Sequence, residues 1–222
     1  MKMRTMRRKS LDDIERDLYS AVISDCLDEI NHRNNCLNLP IFPIKSGIKL
    51  AGRARVVDFV KTKTIPKKPY EKLINFLDSL SRGDIIFARV EEGNSAILGE
   101  LTSTAAKQRG SRGAIISGPI RDKQRILEIG FKVFYNGITN PYDSNGRSDI
   151  RCYDCELEVG GIIVNSGDYV FADDDGVVII PPSLFYEVIR MAYQKKEKEK
   201  KMRKVLEEGF SLREAWENNH VL

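Results

Sequence analysis

In "SGPIRDKQRILEIG", residues 117–130, an arginine and an aspartate stand side by side just after a Gly-Pro turn, where a helix begins. Arg121 offers a planar fork for a two-pronged grip on a carboxylate. Asp122 offers a hard oxygen ligand to Mg²⁺ or Mn²⁺, with waters filling the other positions. A second corner, Gly99-Glu100-Leu101-Thr102, has the same form: a glycine, then the first turn of a helix whose free N–H groups and partial positive charge suit a small anion. Glu100 is placed to hold a metal-bound water. Each feature also has a plainer reading. Asp122 is a good N-cap for "KQRILEI", Arg121 a solvated charge, and Glu100 an acid complementing its own helix dipole. Local pattern leaves both readings open.

Other chemistries lack their residues. The only histidines are His32 and His220, and the sequence has no helical histidine pair, cysteine–histidine pairing, GxSxG or GxGxxG. Cys152 and Cys155 form a CxxC, but with only Cys26 and Cys36 besides, neither a zinc site nor a disulfide framework is indicated; strand packing is expected. "FADDDGVV" reads as a hairpin turn at Asp174-Asp175-Gly176. The run "QKKEKEKK" is ordinarily a wet helix face, although a projecting helix also has the means to carry Glu197 or Glu199 into a neighbouring subunit.

The corners need a scaffold, and the hydrophobic pattern supplies one. Ser10 precedes a helix with Asp13 in capping-box position. "IKLAGRARVVDFV" is a strand, and Pro69 opens a helix carrying Leu73, Ile74, Leu77 and Leu80. Then come "IIFARV", "ELTSTAAKQR", "AIIS", "DKQRILEI" and "FKVFYN", a β-α-β-α-β middle whose strand ends place both corners at a ligand crevice. After residue 140 short strands follow, "CELEV", "GIIV", "DYVFA" and "VVII", and from Ser183 a long helix. The expected fold is α/β, in one domain over residues 1–222, with a basic tail at 1–9 and a helical extension at 183–222.

At 41% hydrophobic and 31% charged residues, with no apolar run long enough to span a bilayer and no apolar core behind the basic start, a soluble cytoplasmic protein is expected. The net charge of +4 is small and gathered at the ends, so no direct nucleic-acid binding is expected.

"GELTSTAAKQRGSRGAIISGPIRD", with "AVISDCLDE", "GITNPYDSNGR" and "VNSGDYVFADDDGVVIIP", resembles the RraA-like class II pyruvate aldolases typified by 4-hydroxy-4-methyl-2-oxoglutarate aldolase. That family also holds the regulators of ribonuclease activity. The resemblance runs from about residue 18 to about 210 and implies a swivelling β/β/α domain forming trimers or hexamers, with active sites between subunits. By position, Gly99, Glu100, Leu101 (through its N–H) and Thr102 would bind substrate. Arg121 would hold the carboxylate and keto oxygen, Asp122 the metal, and Glu100 its water, with Glu199 arriving from the adjacent subunit. One position departs: Arg125 stands where the family's aldolase signature has an acid, read either as a lost capping partner or as added charge that alters metal affinity or substrate choice.

The expected function is a Mg²⁺- or Mn²⁺-dependent lyase that cleaves a 2-oxo acid to pyruvate, by retro-aldol reaction or by oxaloacetate decarboxylation. The alternative is a non-catalytic regulator that masks a ribonuclease, a role for which an acidic chain would be better suited. A methyltransferase reading lacks its glycine-rich nucleotide loop.

Overall fold

The computed structural model describes residues 9–91, 95–219 and 221; the basic tail apart from Lys9, and His220, lie outside them. The N-terminal periodic stretch, read as one helix, is two: α1 (Leu11–Asp17), with Ser10 and Asp13 capping each other as the spacing required, and α2 (Ser20–Glu29). Leu18 and Tyr19 between them are extended, which ends the first helix and restarts the second.

In chain order there follow β1 (Phe42–Pro43), β2 (Leu50–Lys61), α3 (Glu71–Asp78), β3 (Asp84–Val90), α4 (Glu100–Gln108), β4 (Gly113–Ile116), α5 (Lys123–Glu128) and β5 (Lys132–Tyr135). The second half holds β6 (Ser148–Tyr153), β7 (Leu157–Val159), β8 (Ile162–Val164), β9 (Tyr169–Asp173), β10 (Gly176–Ile180), α6 (Phe185–Glu207) and α7 (Leu212–Asn219). Among the described residues the main sheet runs β1-β5-β4-β3-β2-β9-β10, with β6 also on β2, and β7 and β8 form a separate ribbon. β2, β3, β4 and β5 are mutually parallel; β1, β6, β9 and β10 pair antiparallel. The predicted β-α-β-α-β middle and β-rich second half are therefore present. Asp174 and Asp175 turn between β9 and β10 as expected.

The parallel strands are buried on both faces, so they read as continuous apolar runs in which neighbours alternate sides. Val57, Ile86, Ala88, Ile116 and Val133 pack toward Phe76, Leu77, Ala106 and Ile126 of the helices. Val56, Ile85, Phe87, Ile115 and Phe134 pack on the other face against Leu157, Val159 and Val164 of the ribbon. A third cluster joins α1 and α2 to α6 over Ala51, Phe171 and Val178.

Two sequence readings need correcting. The polar stretch of α6 does not stand free along its length: Lys196 donates to the Asp17 carbonyl, and Glu199 accepts from the Tyr19 hydroxyl. Further on, Met202 packs with Ala215 of α7. The CxxC pair does more than pack, because Cys152 and Cys155 are disulfide-bonded across 6.2 Å between Cα atoms, at the turn that ends β6.

One ion cluster anchors β2 to its neighbours. Asp58 is inaccessible to solvent and takes Arg89 Nε at 2.8 Å and Arg151 Nη2 at 2.5 Å. Burial pushes its carboxyl up, but the hydrogen bonds from both guanidinium groups outweigh that and hold it below the usual carboxylate range. A depressed carboxyl stabilises the fold above the unfolded-state value near ~4 and loses that contribution as pH falls through the folded value. Asp58→Ala should therefore cost about 3 kcal/mol at pH 7 by urea unfolding. The gap from wild type should narrow at pH 3; an equal gap at both values would show that the carboxylate charge contributes nothing.

Candidate active site at the strand ends

β3, β4 and β5 are parallel, so the segments that leave their carboxyl ends emerge together. Short parallel bridges then fasten those segments to one another: Leu98 to Ile120, Ile120 to Thr139, and Ala96 to Asp143. Arg121 N donates to Leu98 O at 2.9 Å, Asn140 N to Ile120 O at 3.0 Å, and Ala96 N to Tyr142 O at 2.8 Å. This small layer sets Gly99, Arg121 and Asp143 beside one cleft of about 390 Å³.

Gly99 is the N-cap of α4, and its N–H donates to Thr102 Oγ1 at 3.0 Å. The following N–H groups, of Leu101 and Thr102, lie in the first turn, where helix geometry supplies no carbonyl acceptor. Asp122 departs from its plainer reading. It sits in the N-cap position of α5, but in left-handed backbone conformation (φ 56°, ψ 33°) and with no side-chain bond to its own helix. Its Oδ2 instead accepts the Glu100 N–H of the other corner at 3.1 Å, with Arg121 Nε 3.8 Å away. A non-glycine residue held in that region carries strain of order 1 kcal/mol, eased for aspartate, and such strain gathers at functional positions. In this chain the Asp122 side chain bonds to the first turn of α4 and not to its own helix, so no reciprocal cap joins positions 122 and 125. Arg125 is exposed and does not line the cleft.

Glu100 lines the cleft and accepts from Thr104 Oγ1 at 3.1 Å, which fixes its carboxylate one turn along α4. Two further residues had no local signal in the sequence. Asp143 Oδ1 lies 3.4 Å from Arg121 Nη2 and aims the guanidinium. The Tyr70 hydroxyl donates to Asp143 Oδ2; this bond holds the phenol above its usual range, so that it stays a donor. Tyr70 itself is left-handed (φ 63°) and is the N-cap of α3, so the helix begins at Glu71, two residues beyond the predicted Pro69 start.

Of the predicted residues, Gly99, Glu100, Leu101, Thr102, Arg121 and Asp122 are brought together at this cleft. Glu199 is not: it lies on α6, paired with Tyr19, where burial raises its carboxyl above the usual range.

No group of three or more histidine, cysteine or acidic side chains converges as a cation cage among the described residues. The carboxylates that line the cleft, Glu100, Asp122 and Asp143, are hard oxygen donors of the kind Mg²⁺ or Mn²⁺ take together with waters or substrate oxygens. Asp122 would be the direct ligand and Glu100 the carboxylate facing a bound water.

Residues 20–179 match the RraA-like family, described as Aldolase/RraA. The chain is 28% identical over 209 residues to Protein DlpA of Legionella pneumophila, covering 90% of this chain but only 32% of that longer protein. It is 25% identical over 181 residues to a Halalkalibacterium halodurans protein named "Putative 4-hydroxy-4-methyl-2-oxoglutarate aldolase", covering 81% and 80% of the two chains. Among solved structures, Streptomyces coelicolor RraAS2, described as an unusual member of the RNase ES inhibitor RraA protein family, superposes with a TM-score of 0.75. The two share 26% identity, over 87% of this chain and 96% of that one. None of the described helices is long and apolar enough to cross a membrane. With its strand-end corners, its mixed sheet and a match that takes in both, the chain belongs to the RraA-like family.

Proposed function

We propose that the protein is a divalent-metal-dependent, cytoplasmic lyase that cleaves a C–C bond of a 2-oxo acid to release pyruvate. The observation that carries this reading is the cross-corner geometry: Asp122 leaves its own helix and turns to the N-terminus of α4, beside Arg121, in one cleft. Arg121, aimed by Asp143, grips the carboxylate and the adjacent keto oxygen, while the N–H groups of Leu101 and Thr102 face the same anion. In retro-aldol cleavage the C3–C4 bond breaks, its electrons move toward the 2-oxo oxygen, and the 4-hydroxyl proton passes, in net balance, to C3. The products are pyruvate and a carbonyl compound. Charge grows on the 2-oxo oxygen during that step, so a fixed guanidinium stabilises the transition state more than the substrate. A divalent ion, when bound at Asp122, supplies Lewis-acid polarisation of the keto group and lowers the pKa of a bound water. Glu100 would orient that water, and among the described residues no histidine lines the cleft to take the base's role. Trimers or hexamers, in which Glu199 would leave Tyr19 to reach a neighbouring cleft, complete the reading.

The test is pyruvate release from oxaloacetate and from 4-hydroxy-2-oxo acids, followed through a coupled reductase assay. EDTA should lower the rate at least about tenfold, and added Mg²⁺ or Mn²⁺ should restore it. No EDTA-sensitive release from any of these acids would overturn the proposal. The description of RraAS2 favours a second reading, ribonuclease inhibition, against which the net charge of +4 weighs. Recovery of a ribonuclease on the immobilised protein, with inhibition unaffected by Arg121→Ala, would favour it.

A further inference from the structure

The Cys152–Cys155 disulfide closes a ring that encloses only Tyr153 and Asp154, at the turn that ends β6. Both enclosed residues reach other elements. Tyr153 lies against Phe76 of α3, with ring centroids 5.7 Å apart. Asp154, left-handed at φ 55°, holds Arg55 of β2 by two bonds of 2.8 Å and accepts from Ser166 Oγ at 2.8 Å. Arg55 in turn donates to the carbonyl and the hydroxyl of Ser79, the C-cap of α3, at 3.1 and 3.0 Å. The ring is thus clamped to the far end of the helix whose N-cap is Tyr70. Each of these contacts is internal to one chain, so none depends on which surfaces an assembly covers.

A disulfide that restricts the unfolded chain does so least when it encloses so few residues. What this one restricts is the folded turn. A left-handed aspartate is disfavoured on its own, and the closed ring helps to hold it there. Once the ring opens, Asp154 can relax to negative φ, which draws its carboxylate off Arg55 and loosens the end of α3. Both cysteines are only partly buried, whereas Cys26 is fully buried and its thiol is pushed up to about 11 by that burial. Cys152 is registered against Asp58 of β2, and Leu157, two residues past Cys155, is buried in β7, so the flanks keep the two thiols close for reoxidation. We infer that Cys152 and Cys155 form a reversible redox site that takes a dithiol as reductant, and that oxidation tightens the grip of Asp154 and Arg55 on α3. In the reduction a thiolate of the dithiol attacks one sulfur to give a mixed disulfide, and its second thiol then displaces the protein cysteine. Two electrons and two protons pass to Cys152 and Cys155, and the dithiol leaves as its own disulfide. This inference stands apart from the lyase reading.

The full chain should be equilibrated, still folded, with mixtures of reduced and oxidised dithiothreitol, quenched with an alkylating agent and weighed by mass spectrometry. Cys152 and Cys155 should gain label together in one two-electron transition and lose it again when oxidised dithiothreitol is restored. Hydrogen exchange of the oxidised and reduced forms should then differ at the end of α3: the Ser79 N–H, bonded to Asn75 O, should exchange at least about tenfold faster after reduction. Oxidised Asp154→Ala should exchange there as fast as the reduced wild type with its disulfide intact. A pair that resists the dithiol in the folded protein, or that does not reform, would overturn the redox site. Unchanged exchange on reduction would overturn its link to α3, and wild-type exchange in oxidised Asp154→Ala would overturn the route through Asp154 and Arg55.

Discussion

Asp122→Asn is expected to lower kcat for pyruvate release on the order of 10³-fold while the protein unfolds within ~2 °C of wild type. The two halves of this expectation separate chemistry from architecture. Asparagine is nearly isosteric, tolerates the left-handed backbone that Asp122 adopts, and still offers an oxygen to the Glu100 N–H at 3.1 Å. What it lacks is the negative charge, and with it the affinity for a hard cation and the electrostatic partner of Arg121 Nε at 3.8 Å. If Asp122 served only as a cap for α4, the asparagine variant would be close to wild type in activity. Asp122→Ala removes the oxygen as well, so it should lose the same activity and in addition ~1 kcal/mol of stability. Equal melting of the two variants would count against the cross-corner bond; full activity in either would remove Asp122 from the mechanism. Equilibrium dialysis with Mn²⁺ gives a readout independent of turnover, and Asp122→Asn should weaken uptake at least about tenfold.

How far the sequence could be read follows from the range of the interactions involved. The parallel strands were legible because burial on both faces writes an apolar run into the chain, as in "IIFARV" and "FKVFYN". The corners were legible because glycine, acid and arginine at helix starts are local. Asp143 was not, because nothing in "NPYDSNG" distinguishes a carboxylate that aims Arg121 from one that merely shapes a turn; only the Ala96–Asp143 bridge brings it there. Tyr70 was hidden for the same reason, since 73 residues of chain separate it from the carboxylate it holds. The break between α1 and α2 was invisible to periodicity because Leu18, the extended residue that ends α1, is as fully buried as the helical Val22 and Ile23, so the apolar spacing runs on without interruption. The sense of Asp122 stayed open locally: an aspartate before a helix is ordinarily its cap, and only the approach of a second helix start shows that its carboxylate bonds to the other corner.

Gly99→Ala should lower kcat/KM roughly 100-fold with little loss of stability. At φ −138°, Gly99 adopts a backbone conformation that any residue accepts, so positive φ is not the reason for a glycine here. The reason is proximity. A Cβ on Gly99 would stand 2.7 Å from Asp122 Oδ2, 3.0 Å from Arg121 Cγ and 3.1 Å from Arg121 Nε. Contacts that short must be relieved, and both neighbours are partly exposed side chains free to swing away, so the fold survives and the constellation does not. A displacement near ~1 Å of both groups that face the substrate falls directly on transition-state binding. The loss should appear mainly in kcat, with pyruvate-analogue affinity reduced to a smaller degree, because the geometry needed by a bound carboxylate is looser than that needed by developing charge. Thermal unfolding within ~3 °C of wild type would confirm that the scaffold is intact. Wild-type kcat/KM in Gly99→Ala would mean that Arg121 and Asp122 can part without consequence, and the proposed site would lose the geometric basis on which it stands.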